Sequence, residues 1–149
     1  MGVDPIAWLL VHAAATWFMT GLIWFVQVVH YPLKNRVGAE RFREYQALHI
    51  QRTGWVVGPP MLLEAGTSLA IVVMPVATVA PEWLWTNAAV LALIWVATAI
   101  FSVPAHGRLA QGFEENAYRS LVRSNWLRTV LWSVRSCAVT WMLWTVLAA

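Results

Sequence analysis

The sequence has 149 residues, of which 60% are hydrophobic and only 11% charged, with eleven tryptophans. A soluble domain carries roughly 25% charge, so this composition excludes a soluble globule and leaves a single membrane-embedded domain. The net charge of +3 is no nucleic-acid signal, because all ten Lys and Arg fall within 34–52 and 108–135, as the positive-inside rule requires of segments kept in the cytoplasm.

In chain order, Asp4 stands where a signal peptide would carry Lys or Arg, and Ile6 breaks the acylation pattern that would begin at Gly2. The first apolar run is therefore expected to remain as a helix. Four runs supply the roughly 20 apolar residues that a spanning helix needs: 6–31, 55–79, 83–103 and 126–147. Pro5 opens the first and Pro32 stops it, while Ala80-Pro81-Glu82 predicts a tight turn between the second and third. The expected fold is all-α, an antiparallel four-helix bundle integral to the membrane. Its expected place is the bacterial inner membrane, with both termini outside and both basic segments cytoplasmic. Trp8, Trp83, Trp85, Trp141 and Trp144 would mark the outer interface, and Trp55 and Trp126 the inner one. Segment 36–52 predicts an amphipathic helix on the inner surface, because Phe42, Tyr45, Leu48 and His49 share one face. A shorter helix is expected within 107–124. Cys137 is the sole cysteine, so no intramolecular disulfide forms.

Each span carries a polar stripe at helical spacing: His12, Thr16, Thr20, Gln27 and His30; Glu64, Thr67 and Ser68; Thr98, Ser102 and His106; Asn125, Arg128, Trp132 and Arg135. For Thr and Ser, interhelical hydrogen bonding suffices as a reason. Glu64 follows Trp55 by nine residues and Arg135 follows Trp126 by nine, which puts both about 13 Å into their spans at 1.5 Å per residue. Equal depth suggests an ion pair. The alternative is a Glu64 that faces a water- or ligand-filled cavity as base, metal ligand or titrating transport site.

The topology also gathers His30, His49 and His106 near Glu64 at the cytoplasmic mouth. Such a set suits a single iron, copper or zinc ion, and two facing histidines suit a haem. Asn125 and Arg128 at the start of the fourth span would orient an anionic or carbonyl oxygen. Trp24, Trp95 and Trp132, with Arg135, are either bundle packing or the wall of a site for a flat hydrophobic molecule or cofactor. No Gly-rich phosphate loop or Gly-x-Ser-x-Gly elbow occurs, and Asp4, the sole Asp, lies opposite His30, His49 and His106.

Val29-His30-Tyr31-Pro32, Tyr45-x-x-x-His49, Gly58-Pro59-Pro60 with Glu64, Pro104-x-His106, and Asn125-Trp126-x-Arg128-Thr129 with Arg135 form a pattern of motifs spread over the spans. It resembles that of small four-span bacterial membrane proteins and, more distantly, the anthrone-oxygenase-like family. That resemblance implies oxidation of a flat hydrophobic substrate, with His30, His49, Glu64, Asn125 and Arg128 as the matching positions. The sequence thus points to a membrane oxidoreductase or oxygenase with Glu64, Arg128 and Asn125 as catalytic candidates. Its expected partners are the lipid bilayer, a hydrophobic small molecule and a second copy or a larger membrane complex, with no nucleic acid. The rivals are a non-catalytic accessory subunit and a small transporter.

Overall fold

The computed structural model describes residues 4–149. Met1, Gly2 and Val3, on which the expectation of an unprocessed start partly rests, lie outside the described residues. Among the described residues there is no strand. Four helices are long and apolar enough to cross a membrane: α1 (Pro5–Lys34), α2 (Ala39–Val73), α3 (Pro81–Leu109) and α4 (Glu115–Leu147).

Helix α1 starts where Asp4 accepts a hydrogen bond from the Ile6 N–H at 2.9 Å and Pro5 fills the first helical position. Towards its end it widens into a π turn over Val26–His30, closed by the Tyr31 N–H donating to the Val26 carbonyl. Two residues later comes Pro32, which has no N–H and crowds the carbonyl four residues back. The wider turn absorbs that conflict without breaking the helix. Helix α3 repeats the device: a π turn over Thr98–Ser102 precedes Pro104.

Three sequence expectations need correction. Segment 36–52 does not make a separate surface helix. A 3₁₀ turn over Ala39–Arg41 leads straight into a helix that runs from Phe42 to Val73, because nothing between Phe42 and Trp55 stops it. Its inward face is also different: Phe42 and Gln46 are buried and His49 half-buried, whereas Leu48 is exposed. Likewise the second basic segment is mostly helix, the first turns of α4. The second span is shorter than expected, ending at Val73 rather than at 79. Pro75 bars its predecessor from helical geometry, and Met74 leaves the helix at φ −120° and ψ 73°. The connection from there to α3 buries Val76 and Val79.

Helix α1 packs against α2 and α4, and α3 packs against α4 and less extensively against α2. Three apolar layers hold the four together. Leu9, Ile71, Leu84 and Met142 form one near the chain ends. Met19, Ile23, Met61, Ile94 and Trp132 form the middle one. Tyr31, Phe42, Ala105, Leu109 and Leu121 form the third, at the basic end. Outward faces are apolar too, with Trp55, Leu62, Leu69, Leu93, Val103 and Trp144 all exposed. Such a surface is far larger than the apolar patches that soluble monomers tolerate.

Candidate functional site

Between the apolar layers lie two polar layers with different characters. The first is sealed. Arg135 Nη1 donates to Glu64 Oε1 at 2.5 Å, and Trp132 Nε1 donates to Glu64 Oε2 at 3.1 Å. Nε and Nη2 of Arg135 donate to Asn87 Oδ1 at 3.3 and 3.2 Å. His12 completes the set, with Nδ1 at 2.8 Å from Thr67 Oγ1 and Nε2 at 3.1 Å from Asn87 Oδ1. All these side chains are buried, and Glu64, Arg135 and His12 are fully so. A charge at this depth is costly unless it is paired and its remaining groups are bonded. Here both conditions hold.

The second layer surrounds a cavity of about 480 Å³ at the basic end. All four helices line it. Helix α1 gives Met19, Leu22, Ile23, Val26 and Tyr31; α2 gives His49, Ile50, Thr53, Gly54, Val57 and Gly58; α3 gives Thr98, Ser102, Val103, His106 and Gly107; α4 gives Arg128 and Trp132. Ile50, Gly54, Val103 and Gly107 are exposed, so the mouth lies between α2 and α3. The walls are apolar except in one corner.

That corner is built as a chain of hydrogen bonds. Lys34 Nζ donates to Gln46 Oε1 at 2.7 Å, Gln46 Nε2 lies 3.0 Å from His106 Nδ1, and His106 Nε2 lies 3.1 Å from the Tyr31 hydroxyl. Beside it, His30 Nε2 faces His49 Nδ1 at 3.0 Å, with the rings stacked 4.6 Å apart. Arg128 enters from α4. One of its Nη groups donates to Asn125 Oδ1 and the other to Thr98 Oγ1 at 3.4 Å. Asn125 is itself fixed by donating from Nδ2 to Gln27 Oε1 at 2.7 Å. Arg128 Nε is buried without any partner.

Lys34, His49 and His106 sit on helix extensions beyond the apolar stretches. Burial, and secondarily the nearby Lys34 ammonium, push His49 and His106 down to about 3, so both rings are neutral at physiological pH. Burial also pulls Lys34 down to about 8. Its ammonium sits over the rings of Tyr45 and Tyr31, at 5.3 and 5.9 Å from their centroids, a contact that offsets part of the desolvation. No carboxylate balances Lys34 or Arg128: among the described residues the ion pairs are Glu115–Arg119 and Glu64–Arg135.

The structure distributes the sequence candidates over these two layers and the surface. His49, His106 and Arg128 come together at the cavity, with His30 stacked on His49 outside its lining and Asn125 behind Arg128 as its support. Trp132 is a buried wall of the cavity. Glu64 and Arg135 belong to the sealed layer and do not line the cavity. Trp24 is exposed and donates to Ser133 at 3.0 Å, and Trp95 lines a separate open groove with Trp85 and Ala88. Tyr31, Lys34 and Gln46 were not singled out by chemistry from the sequence. Tyr31 stood only within a motif, Lys34 only as a topology charge. Their one available signal was that each faces inward if the helices run on past the spans.

The residues do not fit the expected metal or haem site. Among the described residues no three His, Cys, Asp or Glu side chains converge as a metal-binding set. Both nitrogens of His106 are engaged, by Tyr31 and by Gln46. Two axial nitrogens across a haem iron stand about 4 Å apart at ordinary metal–nitrogen lengths, whereas His30 and His49 approach to 3.0 Å. Comparison with known proteins finds no matching family model, no matching curated protein and no matching solved structure. The likeness to the anthrone-oxygenase-like family therefore rests on the motifs alone.

Proposed function

We propose that this chain is a membrane protein that binds a hydrophobic small molecule in the cavity at its basic end. In this reading the helices form an antiparallel four-span bundle in the bacterial inner membrane, with the basic extensions in the cytoplasm. The outward apolar faces and the one-sided Lys and Arg support it. The observation that carries the ligand reading is the cavity itself. Its walls are apolar, and its polar groups, Tyr31, His49, His106 and Arg128, are gathered in one corner, the usual anatomy of a small-molecule site. Trp132 offers a flat wall, and the mouth between α2 and α3, bounded by Ile50, Gly54, Val103 and Gly107, opens at the expected inner interface, where an amphiphilic molecule partitions.

The catalytic form of the proposal is an oxidoreductase or oxygenase acting on a flat substrate, a reaction class that comes from the motif resemblance. The cavity contributes the neutral imidazole of His49 as a proton acceptor and a guanidinium to orient an oxygen. A transporter working through Glu64 is less well supported, because Glu64 is bonded to Arg135 and Trp132, fully buried, and does not line the cavity.

Gly58 gives the test. Gly58 lines the cavity and a Cβ added there meets nothing within 4 Å, so Gly58→Leu adds bulk at the cavity wall from a first atom that strikes nothing. Purified protein in nanodiscs should bind a flat hydrophobic fluorophore with energy transfer from tryptophan, and the Gly58→Leu variant should lose at least about tenfold in affinity. Equal binding by both proteins would refute the assignment.

A further inference from the structure

We propose that the cavity is selective for molecules whose polar end is a singly charged oxyanion, such as a carboxylate or an ionised enol or phenol. This rests on the ligand reading above and names the chemistry of the head. Three observations lead to it. Arg128 is 7% exposed, lines the cavity, and has an Nε with no partner. Lys34 is wholly buried with only Gln46 to accept its protons. No carboxylate among the described residues pairs with either cation. Two buried cations without a counter-ion are costly. An anionic head supplies the missing charge.

The hydrogen-bond chain gives the same answer from its polarity. An ammonium can only donate, so the atom of Gln46 facing Lys34 is its oxygen, and its amide nitrogen then donates to His106 Nδ1. The neutral His106 ring therefore carries its hydrogen on Nε2 and donates it to the Tyr31 oxygen. The Tyr31 hydroxyl hydrogen is left to point onward, in the corner that Arg128 also lines. Tyr31 and Arg128 thus both turn donors to the polar corner of the cavity. Donors gathered in a dry site favour an ionised oxygen over a neutral one.

The test uses 9-anthracenecarboxylate and 9-anthracenemethanol, a matched flat pair differing in the charge of the head, with the full chain in phosphatidylcholine nanodiscs and energy transfer from tryptophan as readout. The Gly58→Leu protein measures partitioning into lipid. The carboxylate should bind about tenfold or more tighter than the alcohol. Arg128→Gln should erase most of that preference, while Arg128→Lys should retain part of it. A thermal unfolding scan of each variant confirms folding. Equal affinities in the native protein, or a preference that survives Arg128→Gln undiminished, would overturn the anion assignment; alcohol binding that Gly58→Leu still abolishes would then leave the ligand reading standing. If neither compound binds above the Gly58→Leu level, both fall. Adding phosphatidylglycerol separates the sources of the oxyanion: competition with the carboxylate makes it a lipid headgroup, and no competition makes it a free amphiphile.

Discussion

Arg135 and Lys34 are, after Trp132, the largest side chains wholly sealed within the molecule, yet their situations are opposite. Arg135 has Glu64 at 2.5 Å, Asn87 and His12 around it. Removing one partner leaves an uncompensated charge, and such losses run at about 3–5 kcal/mol. Glu64→Leu alone and Arg135→Met alone should each lower the unfolding temperature in detergent sharply, and the double variant should recover most of the loss. Strict additivity of the two would disprove coupling. Lys34, His49 and His106 govern the pH response instead. The unfolded imidazoles take up protons below about 6.5 that the folded rings refuse until about 3, so stability is lost as pH falls through that window. Lys34 has the same sign at the alkaline side. The folded chain releases its proton near pH 8, before the unfolded chain does at 10.5, so stability rises again between those values. Thermal scans from pH 4 to 10 should show both limbs, with Lys34→Met flattening the upper one. At this scale the sequence was partly legible. The Glu64–Arg135 pair follows from counting equal distances from two interfacial tryptophans. Asn87, which bridges His12 and Arg135, had no such marker, and the depth of Lys34 depends on a helix running on past Pro32, where the sequence predicts a stop.

The elements that set the cavity are the two π turns. Each arises from a proline two residues beyond its end, and the chain places His30 and Tyr31 at the close of one, Ser102 and His106 in and after the other. Pro32→Ala restores the missing N–H and removes the steric reason for the wide turn. Rewinding that turn to α geometry rotates one flank of α1 against the other by about 100°, carrying His30 away from His49 and Tyr31 away from His106. Circular dichroism should stay unchanged while affinity for the flat fluorophore falls about tenfold or more; an unchanged affinity would show that the π turn is incidental to the site. Helix existence was readable from apolar length alone. The π turns were not, because proline reads in sequence as a stop, whereas packing by neighbouring helices lets the chain continue past it.

For the whole molecule, the separation of charge makes a directional statement. Reporter fusions after residues 38 and 112 should be active only as cytoplasmic reporters, and fusions after residues 77 and 149 only as external ones. The reverse pattern would invert the orientation proposed here. The number of helices and their apolar character were fully readable from composition and run length. Which polar residues meet was not, since stripes on four helices fix their facing directions but not how far each helix extends or how they are rotated.

Three glycines at the cavity, Gly54, Gly58 and Gly107, each look onto open space where a side chain would stand. A glycine in a helix forgoes about 0.5–1 kcal/mol relative to alanine, so the emptiness is maintained against local helix preference. Part of the chamber's width at these three positions therefore comes from side chains that are absent. Alanine at these positions should raise the melting temperature while shrinking the largest guest admitted, one methyl at a time. The guest's dimensions can thus drift through single codon changes with the four helices left where they are.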